Sequence, residues 1–131
     1  GEMSTLNGIS ITDIQNKRNE VALEFANKWE QVVVLKGANT VIASPSGEYA
    51  ISPFANPALA TAGTGDVLSG IISGLLAQSL TQFDAAALGV YVHGMAGEMA
   101  KKKMGDAGML ASDLLPLIPK TLLNISKQRI S

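Results

Sequence analysis

Gly63-Thr64-Gly65-Asp66 is followed at once by an apolar run, Val67-Leu68 and onward. Glycines on both sides of a threonine let the backbone turn tightly and approach a ligand closely. A helix starting there points its free N–H groups back at the turn and makes an anion site. Asp66 sits at its mouth. A carboxylate is an odd choice for holding phosphate alone. It makes sense if Asp66 takes a proton from a hydroxyl while the hole stabilises charge on the group being transferred. The chemistry implied is phosphoryl transfer from a nucleotide to an alcohol. Gly-x-Gly-Asp is also the wording of an ordinary turn with a helix cap, and the four residues alone do not separate the two.

A second candidate loop is Lys36-Gly37-Ala38-Asn39-Thr40, which breaks the apolar run Val32-Val33-Val34-Leu35. Ligands of open α/β sheets gather at the carboxyl ends of strands. Lys36 offers a point charge, Gly37 a close backbone, and Asn39 and Thr40 hydrogen-bonding groups. Lys-Gly after a strand is equally common hairpin chemistry. Asn56 is a candidate polar contact near phosphates, or simply an Asn-Pro turn initiator. His93 is the one histidine and lies among Val90, Val92, Gly94 and Met95. Such company reads as a satisfied core residue rather than a catalyst. Met95, Met99, Met104 and Met109 read as core filler. Gly89, Gly94 and Gly97 mark one helix for close packing against a neighbour, with an interface as one option. No His/Cys/Asp grouping offers a protein metal cage.

The chain of 131 residues fits one domain. Its formal net charge of −1 argues against a nucleic-acid partner, which draws a basic face. Lys101-Lys102-Lys103 reads as a solvated helix end, where cations suit the dipole. With no cysteine there is no disulfide framework and no sign of export. No apolar run reaches the ~18 residues of a membrane span, and no signal peptide is visible. The expectation is a cytoplasmic protein with no membrane contact.

These candidates need elements to position them. Thr12 is an expected helix cap, with Ile14, Val21, Ala22, Phe25, Ala26 and Trp29 on one face. Residues 32–35 form a strand without alternation, as for one covered on both faces. Residues 40–43 and 48–51 follow as strands around a Ser44-Pro45-Ser46-Gly47 turn. Helices are expected over 65–78 and 83–104, and a last one from about Ser112, complicated by Pro116 and Pro119. The 65–78 helix is apolar nearly all round and should be buried on several sides. A few short strands cannot cover so much helix, so the expected architecture is part of a larger α/β domain.

The stretch NPALATAGTGDVLSGIISGLLAQ, from Asn56, resembles the C-terminal signature of the NAD(P)H-hydrate dehydratases, a branch of the ribokinase-like kinases. The loop at 36–40, His93-Gly94-Met95-Ala96-Gly97 and Gly108-Met109-Leu110-Ala111-Ser112-Asp113 also look like that family. The resemblance runs over nearly the whole chain. It implies a ribokinase-like three-layer α/β/α fold, of which residues 1–131 are the C-terminal half of one nucleotide-binding domain. In the family a Gly-Glu pair, here Gly1-Glu2, follows a central strand midway through the domain. The resemblance also implies an adenine nucleotide, ATP or ADP, on Lys36, Gly37, Ala38, Asn39 and Thr40, with Gly65 as a further contact. Gly63 and Thr64 are the expected backbone donors of the anion hole. Asp66 is the expected base and substrate contact, with Asn56 beside it. Mg²⁺ would travel on the nucleotide phosphates. The implied reaction is dehydration of hydrated NADH or NADPH, by phosphorylation of the ring hydroxyl and elimination of phosphate. The expected association is with further copies or with the other half of the domain. Two rivals stay open: a small-molecule kinase of the same superfamily, and a non-catalytic nucleotide-binding fragment.

Overall fold

A computed structural model describes residues 17–105 and 108–130. The first helix described, α1, spans Arg18–Trp29 and buries Val21, Ala22, Phe25 and Ala26. Thr12 and Ile14 lie outside the described residues. Trp29, expected on the buried face, is 38% exposed and stacks on Phe25 instead. Strands β1 (Val33–Leu35), β2 (Val41–Ala43) and β3 (Tyr49–Ile51) follow. They form an antiparallel sheet in the order β1-β2-β3. In this sheet β2, not β1, is the middle strand. The 44–47 turn closes with the Gly47 N–H on Ser44 O at 3.0 Å, and Gly47 takes φ +97°.

The register explains the missing alternation. Val33 pairs with Ala43 and Leu35 with Val41, and this set packs against α1. The intervening Ile42 clusters on the other face with Leu68, Ala86 and Val90, and Val32 and Val34 pack beside them. Alternate side chains thus leave opposite faces, and both faces find an apolar cover. The result is three layers: α1, the sheet, and the helix pair α2 (Thr64–Ala77) and α3 (Gln82–Met104). Thr81 caps α3 by accepting from Asp84 N–H at 3.2 Å. Its last turn carries Lys101, Lys102 and Lys103.

Two helices differ from expectation. In α2 only Thr64, Leu68 and Leu75 are buried. Ser69, Gly70, Ser73 and Gly74 form an exposed flank, and a methyl group added at Gly70 or Gly74 would meet nothing. Residues that small carry little apolar area and demand little cover. The last helix, α4 (Leu117–Ile130), starts later than expected. The preceding residues Ala111–Leu114 form a 3₁₀ turn, and Pro116 stands just before α4, where a missing N–H is tolerated. Leu114 and Leu117 pack on Ala96 and Ala100 of α3, together with Met109. Met104, expected as core filler, is exposed.

Leu76, Leu110, Leu115 and Leu123 are all exposed, as are Tyr49 and Ile51 on β3. That much apolar surface favours association. The 131-residue chain on its own is expected to self-associate or to unfold with low cooperativity. Sedimentation and thermal unfolding check this, and a sharp, reversible melt of a monomer would overturn it.

Candidate active site

The turn from 56 to 66 is built by its own hydrogen bonds. The Leu59 N–H reaches Asn56 O at 3.1 Å, closing a 3₁₀ turn over Pro57–Ala60. Gly63 takes φ +88°, a left-handed conformation that suits glycine. An added methyl there would also stand 3.0 Å from Ala111 Cβ. The chain then enters α2. The buried Thr64 hydroxyl lies 2.6 Å from Leu59 O and 2.8 Å from Thr61 O, so these two carbonyls compete for its one proton. The Thr64 N–H donates to Thr61 O at 3.2 Å. Thr64 is therefore not an available backbone donor, contrary to expectation. Within α2 the first such bond is from Val67 N–H to Gly63 O, at 3.2 Å. Helix geometry leaves the N–H groups of Gly65 and Asp66 without an intrahelical acceptor. The candidate donors of the hole, Gly65 and Asp66 rather than Gly63 and Thr64, lie two residues further along the chain.

The β1 side meets this turn directly. A methyl group on Gly65 would lie 3.0 Å from Lys36 Nζ. The ammonium thus sits over the first turn of α2. Lys36, Gly37, Ala38 and Thr40 line one cavity of about 590 Å³ together with Asn56, Gly63, Thr64, Gly65 and Asp66. Asp66 is exposed at this cavity. Thr40 Oγ1 accepts from Gly37 N–H at 3.3 Å and donates to Gly37 O at 3.1 Å, which tightens the loop. Asn39 is the one expected nucleotide residue that does not line the cavity. It takes φ +53°. Its side-chain amide donates to Ser52 O at 2.9 Å, and its N–H to Phe54 O at 2.9 Å. Its place is to tie the loop to the segment after β3.

Other contributors carry no signal in a local motif. Arg18 of α1 donates to Leu35 O at 2.9 Å and also to Ala38 O. One guanidinium therefore holds both ends of the loop. It fills the space beneath Gly37, where an added methyl would come within 2.9 Å of it. Gly37 also takes φ +149°. The opposite wall is Phe54 and Leu59, seated on α3 at glycines. A methyl at Gly94 would stand 2.1 Å from the Phe54 ring, and one at Gly97 2.7 Å from Leu59. Gly89 is filled in the same way by Ile72 of α2. All three glycines of α3 are thus occupied by packing within the chain. His93 lines the cavity too, and lies 2.9 Å from Thr64 O. It is part of the site wall rather than of the apolar core.

Among the described residues, no grouping of three or more His, Cys, Asp and Glu could hold a metal. Among the described residues, Asp66 is the only carboxylate lining the cavity. A divalent ion here would depend on ligand phosphates for its remaining oxygens. No helix in the described residues is long and apolar enough to cross a membrane.

Burial holds the His93 imidazole below its ordinary value; the bond to Thr64 opposes this and the charge of Lys36 adds to it. A folded-state value below the unfolded one, about 6.5, means that the unfolded chain binds the proton more readily. The stabilisation is complete above about pH 6.5 and is lost as the pH falls through the folded value. Urea midpoints are expected to decline from pH 7.5 to pH 5, less so in His93→Gln; equal slopes would contradict this. Arg18→Ala removes the clasp on the 35–38 loop. Charge-assisted bonds of this kind contribute about 1–3 kcal/mol. The expected result is a stability loss of roughly 1–2 kcal/mol by denaturant titration, with Arg18→Lys recovering only part of it.

Comparison with known proteins places this geometry in context. The family model for NAD(P)H-hydrate dehydratase (Carb_kinase) matches residues 1–120. The bifunctional NAD(P)H-hydrate repair enzyme Nnr of Moorella thermoacetica is 48% identical over 128 residues, which is 98% of this chain and 24% of that protein. The ADP-dependent (S)-NAD(P)H-hydrate dehydratase of Xanthomonas campestris is 37% identical over 122 residues, 93% of this chain and 42% of that one. The chain thus spans about a quarter to two fifths of the length of these relatives. Among solved structures, the ADP/ATP-dependent NAD(P)H-hydrate dehydratase from Bacillus subtilis, co-crystallized with ATP/Mg²⁺, superposes with a TM-score of 0.90 at 36% identity. That match covers 95% of this chain and 45% of the other. The ribokinase-like α/β fold expected from the sequence is the fold of these neighbours. The left-handed glycine, the lysine over the helix start and the aspartate beside it thus occur in a chain that belongs to the NAD(P)H-hydrate dehydratase family.

Proposed function

We propose that the cavity binds an adenine nucleotide and dehydrates hydrated NADH or NADPH, with residues 1–131 acting as the C-terminal part of one ribokinase-like domain. The observation that carries this reading is the convergence of Asp66, the Gly65 N–H and Lys36 at one helix start, within one cavity. Phosphoryl transfer asks an enzyme chiefly for positioning and for stabilisation of charge on the phosphoryl oxygens. Lys36 supplies a point charge, and the N–H groups of Gly65 and Asp66 supply donors without a side chain in the way. Mg²⁺, when bound to the nucleotide phosphates, would neutralise further charge there.

The steps balance as follows. The Asp66 carboxylate takes the proton of the ring hydroxyl as its oxygen attacks the terminal phosphorus. The bond from phosphorus to the nucleotide's bridging oxygen breaks, releasing the shortened nucleotide. Hydroxide is a poor leaving group, but the new phosphate ester is a good one. Its C–O bond then breaks with the electron pair passing to phosphate, a ring proton passes to water, and the ring double bond returns with release of inorganic phosphate. Lys36, Gly37, Ala38 and Thr40 would hold the nucleotide, with Asn39 fixing their loop from behind and Asn56 flanking the phosphates.

Hydrated NADH is expected to regain its dihydronicotinamide absorbance when incubated with the protein, Mg²⁺ and either ATP or ADP. Asp66→Asn should abolish this while nucleotide binding stays within about 1 kcal/mol, since the lost role is proton removal. An Asp66→Asn variant with full turnover would contradict the assigned base. A stable phosphate ester in place of the restored dinucleotide would turn the reading towards a kinase.

A further inference from the structure

His93 is the buried titratable group that the proposed mechanism does not use. It is 8% exposed, sits on α3 and lies 29 residues from Thr64 in sequence. Its Nε2 is 2.9 Å from Thr64 O. A carbonyl can only accept, so Nε2 carries the hydrogen and the neutral ring keeps its lone pair on Nδ1. Thr64 O belongs to the peptide that joins Thr64 to Gly65. That unit is planar and trans, so its carbonyl points along α2 while the Gly65 N–H points back into the cavity. A hydrogen bond on the carbonyl fixes the plane of the peptide and polarises the N–H at its other end. Lys36 Nζ lies over the same glycine.

We propose that His93 is a positioning residue for the anion hole: its Nε2–H holds the Thr64 carbonyl and so aims and strengthens the Gly65 N–H that faces the ligand phosphate. The inference rests on the nucleotide reading of the cavity. His93 itself need not touch the nucleotide. Phe54 and Leu59 bear on α3 at Gly94 and Gly97, next to and one turn beyond the imidazole, which brings α3 close enough for this bond. Glutamine reproduces an Nε2–H donor at comparable reach but does not titrate. Leucine fills similar space without a donor.

The test measures ADP binding with Mg²⁺ by calorimetry for the unsubstituted protein, His93→Gln and His93→Leu. Imidazole ¹⁵N spectra of the unsubstituted protein and melting temperatures of all three accompany it. The expected result is affinity within about twofold for His93→Gln and a loss of roughly fivefold or more for His93→Leu, in line with one internal hydrogen bond. The imidazole should be the neutral Nε2–H tautomer at pH 7. The Gly65 amide proton should move upfield in His93→Leu and stay near its place in His93→Gln, a response that a space-filling role would not produce. If His93→Leu does not fold, His93→Asn takes its part, because its amide falls short of the carbonyl. Equal affinity in the variant without the donor, a His93→Gln as weak as that variant, or an Nδ1–H tautomer would each overturn the proposal. A protein that folds yet binds no ADP would overturn the nucleotide reading itself, and the anion-donor role with it.

Discussion

The first turn of α2 is the point on which the rest of the site depends, and polar bonds hold it from two directions while a charged loop lies over it. The Thr64 hydroxyl and N–H secure it to the preceding 3₁₀ turn through Leu59 O and Thr61 O. His93 secures it to α3. Lys36 brings the β1 loop over Gly65. Backbone groups at a helix start are unsatisfied by construction. Here the Thr64 N–H finds a partner in Thr61 O, and the N–H groups of Gly65 and Asp66 have no intrahelical acceptor. Removing the hydroxyl of Thr64 would take a donor from Leu59 O and loosen the turn, while Thr61 O would keep the Thr64 N–H.

The cavity also depends on how closely α3 can approach its neighbours. Without a side chain at Gly94 and Gly97, the Phe54 ring and Leu59 rest on the helix itself. Interiors pack densely enough that an added methyl at such a contact must push something away. Here the thing displaced would be the wall of the site. Gly89 does the same for the packing of α2 on α3 through Ile72. Tyr91, on the outer side of α3, lies 5.5 Å from the Phe54 ring, centre to centre, and braces it from the solvent side. Small residues in a helix are therefore part of the site's geometry although none of them does chemistry.

The residues that would do chemistry are separated from those that hold them. Asp66 and Lys36 are exposed, where a ligand can reach them, while Thr64 and His93 are buried. Arg18 occupies an intermediate position, under the loop rather than in the cavity, and reaches it from a helix 17 residues upstream of Leu35. A loop of this length needs such support: Gly37 and Asn39 both take positive φ. The hydrogen bonds of Asn39 to the 52–54 segment and of Arg18 to Leu35 O and Ala38 O hold that shape from opposite sides.

Local wording was enough for a good part of this. The tight turn at Gly63, the helix beginning beside Asp66, the strand covered on both faces and the lysine at its end all follow from neighbouring residues and from the periods of helix and strand. Family membership was legible because the 56–78 stretch is long and specific. What neighbouring residues could not show was which groups meet across the fold. His93 reads as a core histidine until α3 is laid against α2, and Arg18 gives no signal until α1 is laid on the sheet. Asn39 reads as a ligand contact until the segment after β3 takes up its side chain. The glycines of α3 announce close packing but not its partner, and the apolar α2 announces burial but not the open flank of serines and glycines. The physical reason is the same throughout. A residue's type and period depend on its own backbone, whereas the partner of a hydrogen bond or a missing methyl is decided only when separate elements pack.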